Sequence, residues 1–124
     1  MLPTIAIIGA STQRHKYGNR AVRAYASRGW KVFPIHPTAA RIEGHRAVPS
    51  ITQVPVAELD RVSIYLPPEI GLKVIETVAA RKVREVWLNP GAESAELIAR
   101  ANELGLKVIA ACSIVAIGVH PGTL

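Results

Sequence analysis

The sequence predicts an open α/β fold: a parallel sheet of main strand order 2-1-3-4-5, covered by helices on both faces, with a short strand outside the second. Three observations carry that prediction. Short apolar runs alternate with amphipathic stretches of helical period from Thr4 to Ala110. The apolar runs are continuous, as in parallel strands buried on both faces. Gly or Pro marks most boundaries between the two kinds of segment. Right-handed crossovers then leave few topologies.

Each element follows from its own residues. Ile5–Ile8 is an apolar strand that runs into Gly9. Asn19–Arg28 is a helix with Ala21, Val22, Tyr25 and Ala26 on its inner face, stopped by Gly29. Lys31–Ile35 is the second strand, closed by Pro34 and Pro37. The segment from Thr38 to Pro55 is rich in turn residues, and Glu43–Val48 within it is the candidate for the short outer strand. Arg61–Leu66 is the third strand and ends at Pro67-Pro68. A helix from about Glu69 to Lys82 turns Leu72, Ile75, Val78 and Ala79 inward. Glu85–Leu88 is the fourth strand, ending at Asn89-Pro90-Gly91. A helix from Ser94 to Leu104 presents Leu97, Ile98, Ala101 and Leu104. Lys107–Ala110 is the fifth strand, and the tail to Leu124 is irregular or weakly helical.

Composition bounds the function. The 124 residues suit one domain, 1–124, with one hydrophobic core. Hydrophobic content of 49% and mean hydropathy of +0.22 fit a chain with much buried strand. No apolar run approaches the roughly 20 residues that span a bilayer, so no membrane association is expected. The N-terminus enters a strand without a charged leader, which predicts no signal peptide. Cys112 is the single cysteine, so no internal disulfide forms and the cytoplasm is the expected compartment. Its place just past the fifth strand suggests packing rather than nucleophilic chemistry.

The net charge of +6 comes from Arg and Lys, and Arg14, Lys16, Arg20 and Arg23 crowd the segment after the first strand. That cluster is either an anion site or a solvated basic surface. No interleaving of aromatic and basic residues and no zinc-ligand spacing supports nucleic acid.

The segment Gly9-Ala10-Ser11, followed by basic residues, Tyr17 and Gly18, is the strongest functional signal. A strand that turns into a helix through small residues exposes backbone N–H groups, and the helix dipole there favours negative charge. Ser11 suits either a phosphate contact or a helix cap. The pattern is not the dinucleotide fingerprint: Ser11 and Arg14 stand where its second and third glycines belong. The second strand ends Phe33-Pro34-Ile35-His36-Pro37, without the carboxylate that holds a ribose. An NAD(P)-dependent oxidoreductase is therefore the weaker alternative. In open α/β sheets ligands bind where the strand order reverses. The Gly9 loop and the Pro67-Pro68 turn should flank one crevice, with the turns after Ile35 and Leu88 at its sides. Prolines make that wall rigid, Gly91 permits close approach, and Asn89 offers an amide to a ligand. The four histidines lack metal-ligand spacing, and no acid–base pair or triad stands out. Binding is favoured over catalysis.

The ordered set Ile7-Ile8-Gly9-Ala10-Ser11, Val32-Phe33-Pro34-Ile35-His36-Pro37, Glu43-Gly44, Tyr65-Leu66-Pro67-Pro68, Val86-Trp87-Leu88-Asn89-Pro90-Gly91 and Cys112 resembles the small stand-alone CoA-binding domain proteins. Those are similar to the amino-terminal domain of the succinyl-CoA synthetase alpha subunit. The resemblance runs from Thr4 to about Ser113 and implies a Rossmann-like, three-layer domain that binds coenzyme A or an acyl-CoA. It implies phosphate contacts at Gly9, Ala10 and Ser11, and a nucleotide end at Pro34, His36 and Pro37. Leu66, Pro67 and Pro68 would border the pantetheine arm, with Asn89, Pro90 and Gly91 opposite. Arg14, Lys16 or Arg41 would suit the phosphates electrostatically, and Tyr17 belongs to the same loop. His36 departs from the Asn common in the family, and the loop from Thr12 to Tyr17 is longer than in the synthetase subunit. The synthetase's second domain, with its phosphorylated histidine, has no counterpart, so ligase activity is not implied. An acyl-CoA-using enzyme is the partner such a module would serve.

Overall fold

The computed structural model describes residues 1–124. Strand β1 (Thr4–Ile8) leads to helix α1 (Tyr17–Ser27) and strand β2 (Lys31–Ile35). A hairpin of β3 (Arg41–Ile42) and β4 (His45–Arg46) follows, then β5 (Glu58–Ile64), α2 (Pro68–Ala79), β6 (Lys82–Leu88), α3 (Ala95–Glu103) and β7 (Val108–Ala110). Five strands form one sheet in the order β2-β1-β5-β6-β7, and every neighbouring pair is parallel. With the hairpin set aside, this is the expected 2-1-3-4-5, and the order reverses between β1 and β5. The architecture is Rossmann-like.

Alternation along β1 explains how one short strand serves two cores. Successive strand side chains point to opposite faces. Ile5 and Ile7 pack with Ala21, Val22 and Tyr25 of α1 and with Ile114 from the tail. Ala6 and Ile8 pack with Ile75 and Val78 of α2 and Leu97 and Ala101 of α3. Removing an Ile of this kind from water contributes about 1.5–3 kcal/mol, so β1 is the centre of the fold's hydrophobic stabilisation. No helix is long and apolar enough to cross a membrane.

Several boundaries differ from expectation. Helix α1 begins at Tyr17, two residues before Asn19. Strand β5 begins at Glu58 rather than Arg61, because Leu59 is fully buried and Glu58 pairs in register with Lys82. Lys82 itself opens β6 instead of closing α2, which ends at Ala79. Arg81 anchors that change of direction: its guanidinium donates to the carbonyls of Ile51, Val54 and Val56. The expected outer strand takes a different form. Glu43 and Gly44 both have positive φ (49° and 81°), a turn of the type that closes tight hairpins. Residues 41–46 therefore pair with each other, and only Val48 reaches β2, through one parallel bridge to Ile35. The tail forms two single 3₁₀ turns, Val115–Ile117 and Pro121–Thr123. It lies against α1, where Arg28 donates to the Gly118 carbonyl at 3.0 Å and Arg20 to the Pro121 carbonyl at 3.3 Å.

Candidate ligand-binding crevice

A crevice of about 750 Å³ opens beyond the carboxyl ends of β1, β5, β6 and β7. Its floor is Gly9 and the start of α1, from His15 to Gly18. Tyr65, Leu66 and Pro67 form one wall, residues 89–92 the facing one, and Cys112 and Pro121 close the remaining side.

Two glycines let the floor form. Gly9 has φ +89°, and a Cβ there would sit 3.0 Å from the Tyr65 carbonyl group. Gly18 lies so close beneath it that a Cβ would be 2.1 Å from the Gly9 carbonyl oxygen. Helix α1 therefore starts in contact with the β1 turn, which only glycine allows. The helix has no side-chain cap and no acidic residue in its first turn. Backbone bonds to Lys16 O begin with Asn19 and Arg20, so the N–H groups of Tyr17 and Gly18 find no acceptor in the protein. Free amides, the helix dipole and Lys16 together favour an anion at this floor.

The loop between β1 and α1 is held by a polar network. Ser11 Oγ accepts from the Gln13 N–H at 3.0 Å. The fully buried Asn19 donates to the Ser11 carbonyl at 2.9 Å and to Glu43 Oε2 at 3.1 Å. Arg23 Nε donates to Asn19 Oδ1 at 2.8 Å, and its NH2 group donates to the Arg14 carbonyl at 2.7 Å. Arg14 pairs with Glu43. The bond from Asn19, then the Arg14 guanidinium, hold the Glu43 carboxyl below the ordinary carboxylate range despite some burial.

A second network pins the walls. Asn89, 1% exposed, donates to Ser63 Oγ at 2.8 Å and to the Ile64 carbonyl at 3.0 Å. Its Oδ1 accepts from the Ser113 N–H at 2.9 Å. Ser113 Oγ meets Ser63 Oγ at 2.7 Å and the Tyr65 hydroxyl at 3.2 Å, and its carbonyl accepts from the Tyr25 hydroxyl at 2.7 Å. Burial pushes the Tyr65 phenol well above its ordinary range, so it stays protonated as a hydrogen-bonding wall residue. Both amide protons of Asn89 are spent inside the protein, so it fixes the wall instead of offering a donor to a ligand.

Of the residues singled out from sequence, Gly9, Lys16, Tyr17, Leu66, Pro67, Asn89, Pro90 and Gly91 meet in the crevice. The others do not line it. Ala10 is 6% exposed in the α1-side core, Ser11 caps its own turn, and Arg14 is drawn to Glu43. Pro68 is the first residue of α2. Pro34 is buried within β2. His36 Nδ1 accepts from the N–H groups of Thr38 and Ala39 at 3.1 and 2.9 Å, shaping a turn that exposes Pro37. Arg41 donates to the Gly44 carbonyl at 3.2 Å across its own hairpin. The turn after Ile35 thus stays outside the lining, while the turn after Leu88 forms a wall as expected. His15 and Gly18, from the loop the sequence singles out, also line the crevice, as do Tyr65, Ala92, Cys112 and Pro121, which are not among the sequence candidates for the site. Cys112 is half-buried: it packs against the α1-side core and also faces the crevice.

A parallel sheet whose reversal point carries a glycine turn, an uncapped helix start and a proline wall defines an α/β domain of the Rossmann-like class, with its crevice where open sheets of this kind hold ligands. Comparison narrows that class: the family model described as CoA binding domain matches residues 3–118, and the chain belongs to this family. It is similar to a conserved hypothetical protein from Pyrococcus furiosus, with TM-score 0.82 and 28% identity over 93% of this chain and 99% of that one. A protein from Thermus thermophilus gives TM-score 0.83 and 25% identity over 92% and 87%. The dinucleotide-forming acetyl-coenzyme A synthetase 1 of Candidatus Korarchaeum cryptofilum, solved with phosphate and ADP, gives TM-score 0.75 and 30% identity. That match covers 87% of this chain and 25% of the synthetase.

Proposed function

We propose that this chain binds coenzyme A or an acyl-CoA in the crevice and carries out no chemistry of its own. The observation that carries the reading is the floor: two acceptor-free helix N–H groups and Lys16 facing a crevice, in a chain of the CoA-binding domain family. The diphosphate lies over Gly9 and the start of α1. Leu66, Pro67, Pro90 and Ala92 supply apolar surface along the pantetheine arm. The nucleotide end points toward β2, where the segment carrying His36, Pro37 and Arg41 follows the strand. Tyr65, Asn89 and Ser113 act as wall-fixing groups, since their polar atoms are bound to one another. The match to a quarter of a synthetase supports a module that presents its ligand to an acyl-CoA-using enzyme.

Calorimetry with coenzyme A, dephospho-CoA and NAD tests this. Coenzyme A should bind tightest. Loss of the 3′-phosphate should cost about 1.5–3 kcal/mol, the worth of a charged hydrogen-bonding group, and NAD should bind weakest. Coenzyme A binding no tighter than NAD would refute the proposal.

A further inference from the structure

The basic side chains around the opening turn differ in how many of their donors are already spent. Arg14 is paired with Glu43, and Arg23 is tied to Asn19 and to the Arg14 carbonyl. Arg20 has one hydrogen bond, the long 3.3 Å contact from its NH1 group to the Pro121 carbonyl. Its Nε is buried with no partner, and it belongs to none of the chain's ion pairs. A guanidinium carries five donors in a planar fork, so most of this one is unused. Its Cζ lies 5.1 Å from the centre of the Tyr17 ring. Tyr17 and Pro121, its two neighbours, both line the crevice.

We propose that Arg20 is a phosphate-binding residue of the crevice, occupied in the free protein by the carbonyl of the C-terminal turn. The proposal rests on the coenzyme A reading above. A buried N–H without an acceptor is costly, whereas a phosphate offers several oxygens and suits the guanidinium fork. The turn Pro121–Thr123 buries none of its own residues, and of its neighbours Leu124 packs only at the edge of the α1-side core, so the turn can shift at small cost. Arg20 itself lies behind the lining, next to Tyr17 and Pro121; ligand phosphate replaces the Pro121 carbonyl and draws the guanidinium toward the floor beside Tyr17.

The test is calorimetry of wild type, R20A and R20K with coenzyme A, dephospho-CoA and pantetheine, which has no phosphate. R20A should bind coenzyme A about 10- to 100-fold more weakly, R20K should recover part of that loss, and pantetheine should be unaffected. Equal weakening toward coenzyme A and dephospho-CoA assigns the diphosphate; weakening toward coenzyme A alone assigns the 3′-phosphate. R20A that binds coenzyme A like wild type, or that loses pantetheine equally, overturns the proposal. The Arg20 Nε–H resonance of wild type, titrated with inorganic pyrophosphate, separates this from the reading beneath it. Movement supports Arg20 even if coenzyme A fails to bind, and a resonance that stays fixed at saturation overturns the proposal.

Discussion

At the amino ends of the strands Arg61 lies between the rings of Trp30 and Trp87, 5.0 and 4.8 Å from their centres. Its Nε reaches Glu85 at 3.1 Å and its NH1 group the Tyr25 hydroxyl at 3.1 Å. Lys107 and the Trp87 indole complete the Glu85 carboxylate at 3.4 and 3.2 Å. Burial would raise the Glu85 pKa, but the Trp87 hydrogen bond, Arg61 and Lys107 outweigh it and hold it below the ordinary range. At the carboxyl ends the same chain leaves two helix N–H groups and most of the Arg20 guanidinium without partners. A surface whose central guanidinium is held by two rings, a carboxylate and a hydroxyl stabilises the fold, whereas one with donors in reserve is suited to a ligand. The contrast teaches that charge alone does not mark a site: both ends are rich in arginine, and they differ in how fully the central guanidinium is engaged.

The largest expected effect breaks the ligand end. In G18A the new Cβ meets the Gly9 carbonyl oxygen at 2.1 Å, so α1 must move off the β1 turn. A loss of about 3 kcal/mol, or a fall in Tm of about 10 °C, is expected, together with loss of coenzyme A binding. Thermal melting and calorimetry check both. A stable G18A that still binds the ligand would mean that contact of α1 with the turn is not what forms the floor.

The next effect falls on the opposite end. R61A removes two ring stacks and the charged bond to Glu85, with an expected cost of about 2 kcal/mol in denaturant unfolding. Coenzyme A affinity should stay within about twofold, because no donor of the crevice is touched. Arg61 is nevertheless connected to the walls through Tyr25, Ser113 and Asn89. A tenfold drop in affinity would show that the polar chain couples the two ends and that the contrast between them is incomplete.

How legible each end was follows from the range of its interactions. The strand order, the Gly9 turn and the proline walls were readable because apolar runs, glycines and prolines act locally. Asn89 is legible as a crevice residue, but its bonds within the wall are not, since its partners Ser63 and Ser113 lie 26 and 24 residues away. Pro121 and Cys112 are not legible as crevice residues because the tail that carries them has no period and is placed by distant partners, Asn89 and Ser63 at Ser113 and Arg28 and Arg20 at its end. The hairpin shows the same limit. Glu43-Gly44 reads as a turn, but nothing local says that Glu43 reaches back to Asn19 and Arg14 to hold the loop.

The smallest effect sharpens that last point. Glu43 ionises below its ordinary value of 4.5 in the folded chain. A carboxylate with a depressed folded pKa adds stability above its unfolded pKa and loses it as pH falls through the folded one. Because the Arg14 partner is 64% exposed, solvent screening keeps the gain below about 1 kcal/mol. E43Q should therefore be slightly less stable than wild type at pH 7, and the difference should shrink as pH falls below 4.5 and Glu43 takes up its proton in the folded chain. The same change frees Arg14 and adds one positive charge at the mouth. Coenzyme A should then bind E43Q about two- to threefold tighter at low ionic strength, with the gain vanishing in high salt. If E43Q instead binds more weakly at every salt concentration, the carboxylate's hold on the loop outweighs its charge, and the reserve of donors at this end depends on the hairpin.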